Sequence, residues 1–353
     1  MNWCLCLVLV LFLAGIRPCI RKTNENYIDK DAIQPVKGLF ILLVFLSHFR
    51  GYVPRDLTAD GVYVAVQGWL GQMIVVPFLF YSGYGVAESL RRKGRDYLVG
   101  FPVNRVLNVV FQFVVAVLIY IVFRSLFLGA SFPLKRIWLC LVGWNSAGNS
   151  NWYIFSIVLL YLLTWVAYWA FGRREDRSPW IPNLVLTGTT LLLINILSGC
   201  RPDYVYNTLL AYVAGCWFSQ FRCRFDEMFC DLRAVFVGLV MLIAGYSMVR
   251  QEWTSISMCE TAAIIFALVT VLVTKCVRFH NPVLSYCGRH LFSLYVLQRL
   301  PMLALQKTTL AQNRWLYFAV CLAITFAISW AFDQIVPRLW RRICKCTQPS
   351  LTS

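Results

Sequence analysis

The chain has 353 residues, of which 59% are hydrophobic and 14% are charged, whereas about a quarter of the residues in an ordinary soluble domain are charged. This composition excludes a soluble enzyme, and the aromatic share of 16% excludes a disordered or fibrous chain. A net charge of +17 would indicate a nucleic-acid partner in a soluble protein, but basic residues collect in the cytoplasmic loops of membrane proteins. We therefore expect membrane lipids and no nucleic acid as partners.

The apolar residues form separated blocks whose lengths are near the roughly 20 residues that a helix needs to cross a bilayer. They predict an all-α fold, a polytopic transmembrane bundle of about 11 helices. The first block lacks a basic n-region and a small-residue cleavage site, so we interpret it as a retained helix. The predicted spans are 3 to 20, 33 to 49, 61 to 88, 106 to 123, 152 to 171, 183 to 198, 204 to 221, 234 to 249, 258 to 275, 290 to 306 and 315 to 333.

The distribution of Lys and Arg between alternate loops predicts the orientation of the chain. One set of loops, at 21 to 32, 91 to 105, 172 to 182, 222 to 233 and 275 to 289, together with the tail after Pro337, holds 21 of these residues, and the opposite set holds 9. Positive charge marks the cytoplasmic side. The bias therefore places the N-terminus outside and the C-terminal tail in the cytoplasm.

The loops leave no room for a soluble domain. The longest stretch between spans, 124 to 151, lies on the predicted outer side, and its run Ile137 to Gly143 is compatible with a short interfacial or re-entrant helix. We expect an N-terminal helix with a cytoplasmic linker over 1–32, a membrane domain over 33–340 and a basic cytoplasmic tail over 341–353.

Two polar residues of the second span are candidates for function, because ionisable groups inside a membrane are costly. Lys37 and His48 are eleven residues apart, which places them on one helix face, about 16 Å apart along the axis. His48 is a plausible general base. The alternative is a snorkelling lysine and a histidine that serves packing.

Other chemistry is poorly supported. Only His280 and His290 accompany His48, and both fall in or beside a predicted cytoplasmic loop, so we expect no metal centre. The 14 cysteines form neither a disulfide framework nor a zinc pattern. No G-x-S-x-G elbow is present, and Ser47 points away from His48 on a helix.

Further polar residues cluster on the two predicted sides of the membrane. The densest basic loop, with Arg91, Arg92, Lys93, Arg95 and Arg105, could hold phosphates or act only as a positive-inside anchor. On the other side, aromatic, amide and carboxylate groups suit a sugar, although an aromatic residue at a helix end is also typical of an interfacial belt. This outer cluster comprises Asp56, Asp60, Asn145, Asn149, Asn151, Trp152 and Tyr153.

Four motifs in order resemble those of the acyltransferase-3 family of polytopic membrane acyltransferases. They extend over roughly residues 33 to 340. They are Lys37 with His48; Pro77-Phe-Leu-Phe-Tyr-Ser82-Gly83-Tyr84 followed by Arg91-Arg92-Lys93 and Asn104-Arg105; Asn151-Trp152-Tyr153-Ile-Phe; and Leu284-Ser-Tyr-Cys-Gly288, which continues through Ser293 and Tyr295 to Gln298.

The resemblance implies transfer of an acyl group, usually acetyl, from cytoplasmic acyl-coenzyme A to a hydroxyl of a cell-surface or lipid-linked carbohydrate. His48 would then be the general base or a transiently acylated group, and we favour the general base. The resemblance also implies O-acetylation of a polysaccharide at the bacterial inner membrane, with no tightly bound cofactor. By the same analogy Lys37, Arg91, Arg92, Arg105, Ser82 and Tyr84 would serve the donor, and Asp56, Asn151, Trp152, Tyr295 and Gln298 the acceptor.

Two departures and one rival class accompany this resemblance. Lysine at position 37 replaces the usual arginine and cannot make the bidentate hydrogen bonds of a guanidinium. Gln298 occupies the position where many members have histidine. A transporter or flippase of a glycan or lipid precursor is the alternative function. Such a protein should show paired broken helices or internal repeats, and we find neither in the sequence.

Overall fold

The computed structural model describes residues 1–54, 60–172, 180–251 and 255–347. The fold is all-α, a polytopic helical bundle as predicted, with one two-stranded ribbon. The described elements are α1 Asn2–Leu13, β1 Ile16–Pro18, α2 Gln34–Phe49, α3 Gly61–Leu70, α4 Val76–Phe101, α5 Asn108–Leu128, α6 Leu134–Leu141, α7 Trp152–Phe171, α8 Trp180–Ser198, α9 Leu210–Met228, α10 Leu232–Gln251, α11 Ile256–Cys276, β2 Val277–Phe279, α12 Pro282–Arg289, α13 Leu291–Leu297, α14 Arg299–Leu305 and α15 Arg314–Thr347.

Every predicted span contains helix, but not every one is a single long helix. Among the described residues, six helical stretches are long and apolar enough to cross a membrane, and the longest, Gly61–Leu128, contains more than one helix. The predicted span 290 to 306 is divided into α13 and α14 at Gln298. The last helix continues past Pro337 to Thr347, through part of the predicted tail.

The first predicted span, 3 to 20, is wrong in length. Helix α1 has 12 residues, a rise of about 18 Å that falls short of the roughly 30 Å of hydrocarbon. The chain then turns into strand β1, which pairs antiparallel with β2. Hydropathy alone did not reveal this end, because the strand's partner lies more than 250 residues away in the chain.

The predicted basic loop 91 to 105 is helical instead. Helix α4 continues through Arg91, Arg92 and Lys93 to Phe101, bends at Gly94, where φ is 56°, and is followed by a π-helical turn, Pro102–Leu107. By contrast, the predicted short helix after residue 124 is present as α6. The basic residues of the former loop therefore project from a helix.

The chain divides into two compact units. Unit 1 comprises Met1–Val44, Asp56–Pro102 and Leu159–Arg289, and unit 2 comprises Phe45–Arg55, Val103–Val158 and His290–Ser353. The boundary falls within α2, so Lys37 belongs to unit 1 and His48 to unit 2.

Unit 1 is organised around the packing of α4 on α9. The two backbones approach so closely at Gly83 that an added Cβ would lie 2.0 Å from the carbonyl oxygen of Tyr212. Only glycine fits there, which explains the glycine of the Ser82-Gly83-Tyr84 motif. The same holds for Gly288 of α12, where a Cβ would lie 2.1 Å from the carbonyl oxygen of Gln34 in α2.

In unit 2, α15 packs against α5, α13 and α14. Aromatic rings hold the end of α2 against the start of α15: the Phe49 ring lies 4.9 Å from the Tyr317 ring and 5.3 Å from the Phe318 ring. Such edge and tilted pairs stabilise beyond simple burial. They hold in place the last turn of α2, which carries His48.

Candidate active site

His48 lies one residue before the end of α2, in unit 2. Its Nδ1 atom is 3.3 Å from Oγ of Ser150, which is buried. If Nδ1–H donates to this hydroxyl, Nε2 carries the lone pair that a general base needs. On its other side the imidazole ring lies 6.3 Å from the Tyr295 ring. The imidazole is therefore held between a hydroxyl and a phenol ring.

Ser150 is placed by a hydrogen-bonded segment that joins α6 to α7. Asn151 Nδ2 donates to the carbonyl of Gly143 at 2.7 Å, and the amide of Ala147 donates to Asn149 Oδ1 at 3.1 Å. Arg124 Nη1 donates to the carbonyl of Ala147 at 2.9 Å. These bonds satisfy backbone polar groups of a segment that has no helical hydrogen bonds of its own.

The sequence prediction found this segment and missed its central residue. Asn151 and Trp152 lie at the junction with α7 as predicted, but the Asn151 amide is occupied by Gly143 and the Trp152 ring packs 6.2 Å from the Tyr153 ring. Ser150, between two predicted residues, is the one that contacts His48. Its position beside the Asn-Trp-Tyr motif was the available signal.

Tyr295 and Gln298, both predicted for the acceptor side, lie next to the same imidazole or one turn from it. The Tyr295 ring is buried against His48 and lies 5.4 Å from the Tyr153 ring. Gln298 is 1% exposed and donates from Nε2 to the carbonyl of Tyr295 at 3.1 Å. Its Oε1 atom is buried and has no hydrogen-bond partner among the described residues. An unsatisfied buried acceptor is uncommon and calls for an explanation.

Tyr52 and Arg299 form a second contact, next to the one between His48 and Tyr295. Arg299 Nε donates to the Tyr52 hydroxyl at 3.0 Å, and the guanidinium lies 5.7 Å from the centre of the Tyr52 ring. Tyr52 follows His48 by four residues, and Arg299 follows Tyr295 by four. Residues four apart share a helix face. The pairs His48 with Tyr295 and Tyr52 with Arg299 are therefore two successive contacts between the same two segments.

In unit 1, Lys37 lies at the other end of α2. Its Nζ atom is 5.8 Å from the centre of the Tyr81 ring, a distance at which a cation is attracted by the face of an aromatic ring. Since α2 is continuous from Gln34 to Phe49, Lys37 and His48 share one helix face as predicted.

The motif residues Ser82 and Tyr84 contact other side chains of unit 1. Ser82 Oγ lies 2.7 Å from the Tyr161 hydroxyl, and Tyr84 accepts a hydrogen bond of 3.0 Å from Arg222. Arg91 and Arg92 lie 2.9 and 3.6 Å from Glu88, which also accepts from Ser219. The carboxylate offsets part of the positive charge predicted for this segment.

Sequence reasoning missed a charged cluster beside Tyr84. Asp226 lies 2.6 Å from Lys275 Nζ and 3.6 Å from Arg222. The Lys275 ammonium is 4.7 Å from the centre of the Tyr27 ring. Burial, and then the Asp226 carboxylate, raise the pKa of the Tyr27 hydroxyl, so that phenol stays neutral. Arg222 and Asp226 are one turn apart on α9, but Tyr27 and Lys275 come from a loop and from α11, so no local pattern indicated the whole cluster.

Two predicted residues are not part of either arrangement. Arg105 belongs to unit 2, where it lies in the π-helical turn Pro102–Leu107. Asp56 lies outside the described residues. No group of three or more His, Cys, Asp or Glu residues that could hold a metal ion occurs in the described part of the chain.

The fold and these contacts define a polytopic helical membrane protein that carries a side chain capable of proton transfer, held at the end of a spanning helix. Residues 31–334 match the model of a family described as an acyltransferase domain, so the chain belongs to the acyltransferase-3 family. The protein is a membrane acyltransferase. Searches of curated proteins and of solved structures found no match.

Proposed function

We propose that the protein transfers an acetyl group from cytoplasmic acetyl-coenzyme A to a hydroxyl of a cell-surface or lipid-linked carbohydrate. The observation that supports this proposal is the 3.3 Å contact between His48 Nδ1 and Ser150 Oγ, because an imidazole engaged at Nδ1 can act as a general base through Nε2. The membrane is the bacterial inner membrane, with the N-terminus outside and the C-terminus in the cytoplasm, as the Lys and Arg bias predicts.

The reaction needs one base. His48 Nε2 takes the proton of the acceptor hydroxyl while the oxygen attacks the thioester carbonyl carbon. The new C–O bond forms, the C–S bond breaks, and coenzyme A leaves as a thiolate that is protonated to the thiol. In this mechanism Nδ1–H donates a hydrogen bond to Ser150 Oγ, which leaves the lone pair on Nε2. His48 then returns its proton to solvent.

On the donor side, Lys37, Arg91 and Arg92 of unit 1 would bind the phosphates of coenzyme A through charge-assisted hydrogen bonds. Arg105, which belongs to unit 2, is a proposed donor residue from the sequence alone. The exposed side chains of Arg91 and Arg92 are 48% and 72% accessible, which suits a soluble ligand. Ser82 and Tyr84 would support this site through Tyr161 and Arg222.

On the acceptor side, the groups around His48 suit a sugar. The buried Oε1 atom of Gln298 could accept a hydrogen bond from a sugar hydroxyl. The partly exposed Trp152 ring offers aromatic surface, and the buried Tyr295 ring would act in acceptor binding by supporting the imidazole. Asn151 stabilises the segment that carries Ser150. Asp56 is retained as a proposed acceptor residue on the basis of the sequence alone.

The test is thiol release from acetyl-coenzyme A by the purified full-length protein, with and without a glycan acceptor. The proposal expects release that depends on the acceptor, and a His48→Gln variant that folds but loses at least about a hundredfold in rate. His280→Gln, an exposed histidine of unit 1, is the matched control and should keep its activity. Full activity of His48→Gln would overturn the assignment of the base.

A further inference from the structure

Arg299 is a cation of the segment that contacts the candidate base. It begins α14 and is half-buried, and its Nε–H donates to the Tyr52 hydroxyl. It lies four residues after Tyr295, whose ring is 6.3 Å from the His48 ring, and Tyr52 lies four residues after His48. The guanidinium is therefore held at the contact that follows the one between His48 and Tyr295.

The three segments of unit 2 that meet around Arg299 are rich in basic residues, and the carboxylate of Asp333 is engaged by His290 and Ser293. The segments 45–54, 124–151 and 299–314 meet through described contacts: His48 with Ser150, Tyr52 with Arg299, and the Pro54 carbonyl with Arg314. These three segments contain no Asp or Glu. Their seven cationic residues are Arg50, Arg124, Lys135, Arg136, Arg299, Lys307 and Arg314.

These basic residues lie on the side opposite to the one where the positive-inside rule predicts them. The positive-inside bias puts basic residues on the donor side, whereas the His48 end of α2 is the acceptor side of the proposed reaction. A half-buried arginine normally pairs with a carboxylate or a phosphate. The partner of Arg299 among the described residues is a neutral phenol, which accepts one of the five N–H donors of a guanidinium.

We propose that the acceptor is anionic, and that Arg299 binds a carboxylate or phosphate group of the acceptor beside the hydroxyl that His48 deprotonates. This inference rests on the proposed function and adds the substrate class. The guanidinium fork suits both anions in a bidentate pair. The hydrogen bond from Nε to Tyr52 orients the guanidinium before the acceptor binds.

A second role for the same charge gives a different kinetic result. If Arg299 instead stabilises the oxyanion of the tetrahedral intermediate, its loss lowers kcat for every acceptor, neutral or charged. If it anchors an anionic acceptor, its loss raises KM for charged acceptors only. The two roles are thus separated by the charge of the acceptor.

The experiment uses three detergent-like acceptors that share one ring and one octyl chain: octyl β-glucuronide, octyl β-glucoside 6-phosphate and neutral octyl β-glucoside. For the full-length protein, we expect tighter binding of one or both anionic acceptors than of the neutral one, weakened by salt. Preference for the glucuronide indicates a carboxylate acceptor, and preference for the 6-phosphate indicates a phosphate acceptor.

The variants test the anchor itself. Arg299→Gln should raise KM for the preferred anionic acceptor by about tenfold to a hundredfold, the range expected for a charged hydrogen-bonded pair, and leave the neutral acceptor unchanged. Arg299→Lys should recover part of the loss, and Tyr52→Phe should show a smaller rise. Arg338→Gln, an exposed cation of unit 2 outside these three segments, is the matched control and should leave binding of all three acceptors unchanged.

Binding without the donor separates this inference from the proposed function. Thermal stabilisation by each acceptor is measured in the absence of acetyl-coenzyme A, so it does not require turnover. Selective stabilisation by an anionic acceptor that Arg299→Gln abolishes supports the anchor even if no transfer follows. Equal binding of all three acceptors, or an equal fall in kcat for all three, overturns it.

Discussion

Ser150 Oγ lies 3.3 Å from His48 Nδ1, although the two residues are separated by 102 positions in the chain. The hydroxyl is buried, and the imidazole is partly exposed. In the proposed mechanism this contact orients His48 as the base, because it engages Nδ1 and leaves Nε2 to take the proton of the acceptor.

Replacing Ser150 with alanine should lower kcat by about tenfold to a hundredfold, the usual effect of removing a group that orients a histidine. The fold should persist, because the loss is one hydroxyl. Acetyl transfer and thermal unfolding are measured on the same preparation. Ser198→Ala is the control, since this hydroxyl lies at the end of α8 in unit 1 and donates to the Asn195 carbonyl of its own helix. Unchanged kcat in Ser150→Ala would show that His48 is oriented by other contacts.

The helices and the shared face of Lys37 and His48 could be predicted, because both follow from local periodicity and from the length of apolar blocks. The partners of those residues could not. Ser150 reaches His48, and Asp226 reaches Lys275, only after distant helices pack. The end of α1 was missed for the same reason, since β1 forms only against β2.

Gly83→Ala should destabilise the protein strongly. Its Cβ would lie 2.0 Å from the Tyr212 carbonyl oxygen, so α4 and α9 would have to separate, at a cost of about 1–3 kcal/mol or more. Gly85, two residues further along α4, has no atom within 4 Å of an added Cβ. Gly85→Ala is the matched control and should be neutral or stabilising by up to about 1 kcal/mol. Similar melting temperatures for both variants would contradict the close approach.

Glu260→Ala should also lower stability, because Glu260 is buried and accepts backbone hydrogen bonds of 2.9 Å from both Leu209 and Leu210 at the start of α9. Removing the carboxylate leaves two buried donors without partners, at about 1–3 kcal/mol each. Glu260→Gln keeps one acceptor oxygen and should lose less stability than Glu260→Ala.

The measurement for Glu260 is thermal unfolding in detergent, with Glu227→Ala, an exposed acidic residue of α9, as the control. We expect the order of melting temperatures to be wild type and Glu227→Ala together, then Glu260→Gln, then Glu260→Ala. If Glu260→Ala melted with the control, the two backbone bonds would contribute nothing measurable to the start of α9.

Asp226 and Lys275 provide a test of the charged cluster in unit 1. The Lys275 side chain is 4% accessible and lies 2.6 Å from the carboxylate, which is 37% accessible. Asp226→Asn leaves a buried ammonium without its anion, so we expect a loss of about 1–3 kcal/mol, below the full penalty of a buried pair because water screens the carboxylate. Lys275→Met removes the charge and keeps the length of the side chain.

The two changes are combined in a double-mutant cycle, measured by thermal unfolding at low and high salt. Because the methionine no longer needs an anion, Asp226→Asn should cost much less in the Lys275→Met background than in the wild type. Arg222 lies 3.6 Å from the other carboxylate oxygen and is a weaker, more exposed partner, so some loss should remain. Equal costs in both backgrounds would mean that Asp226 acts through Arg222 alone and that Lys275 is stabilised by the faces of Tyr27 and Phe225.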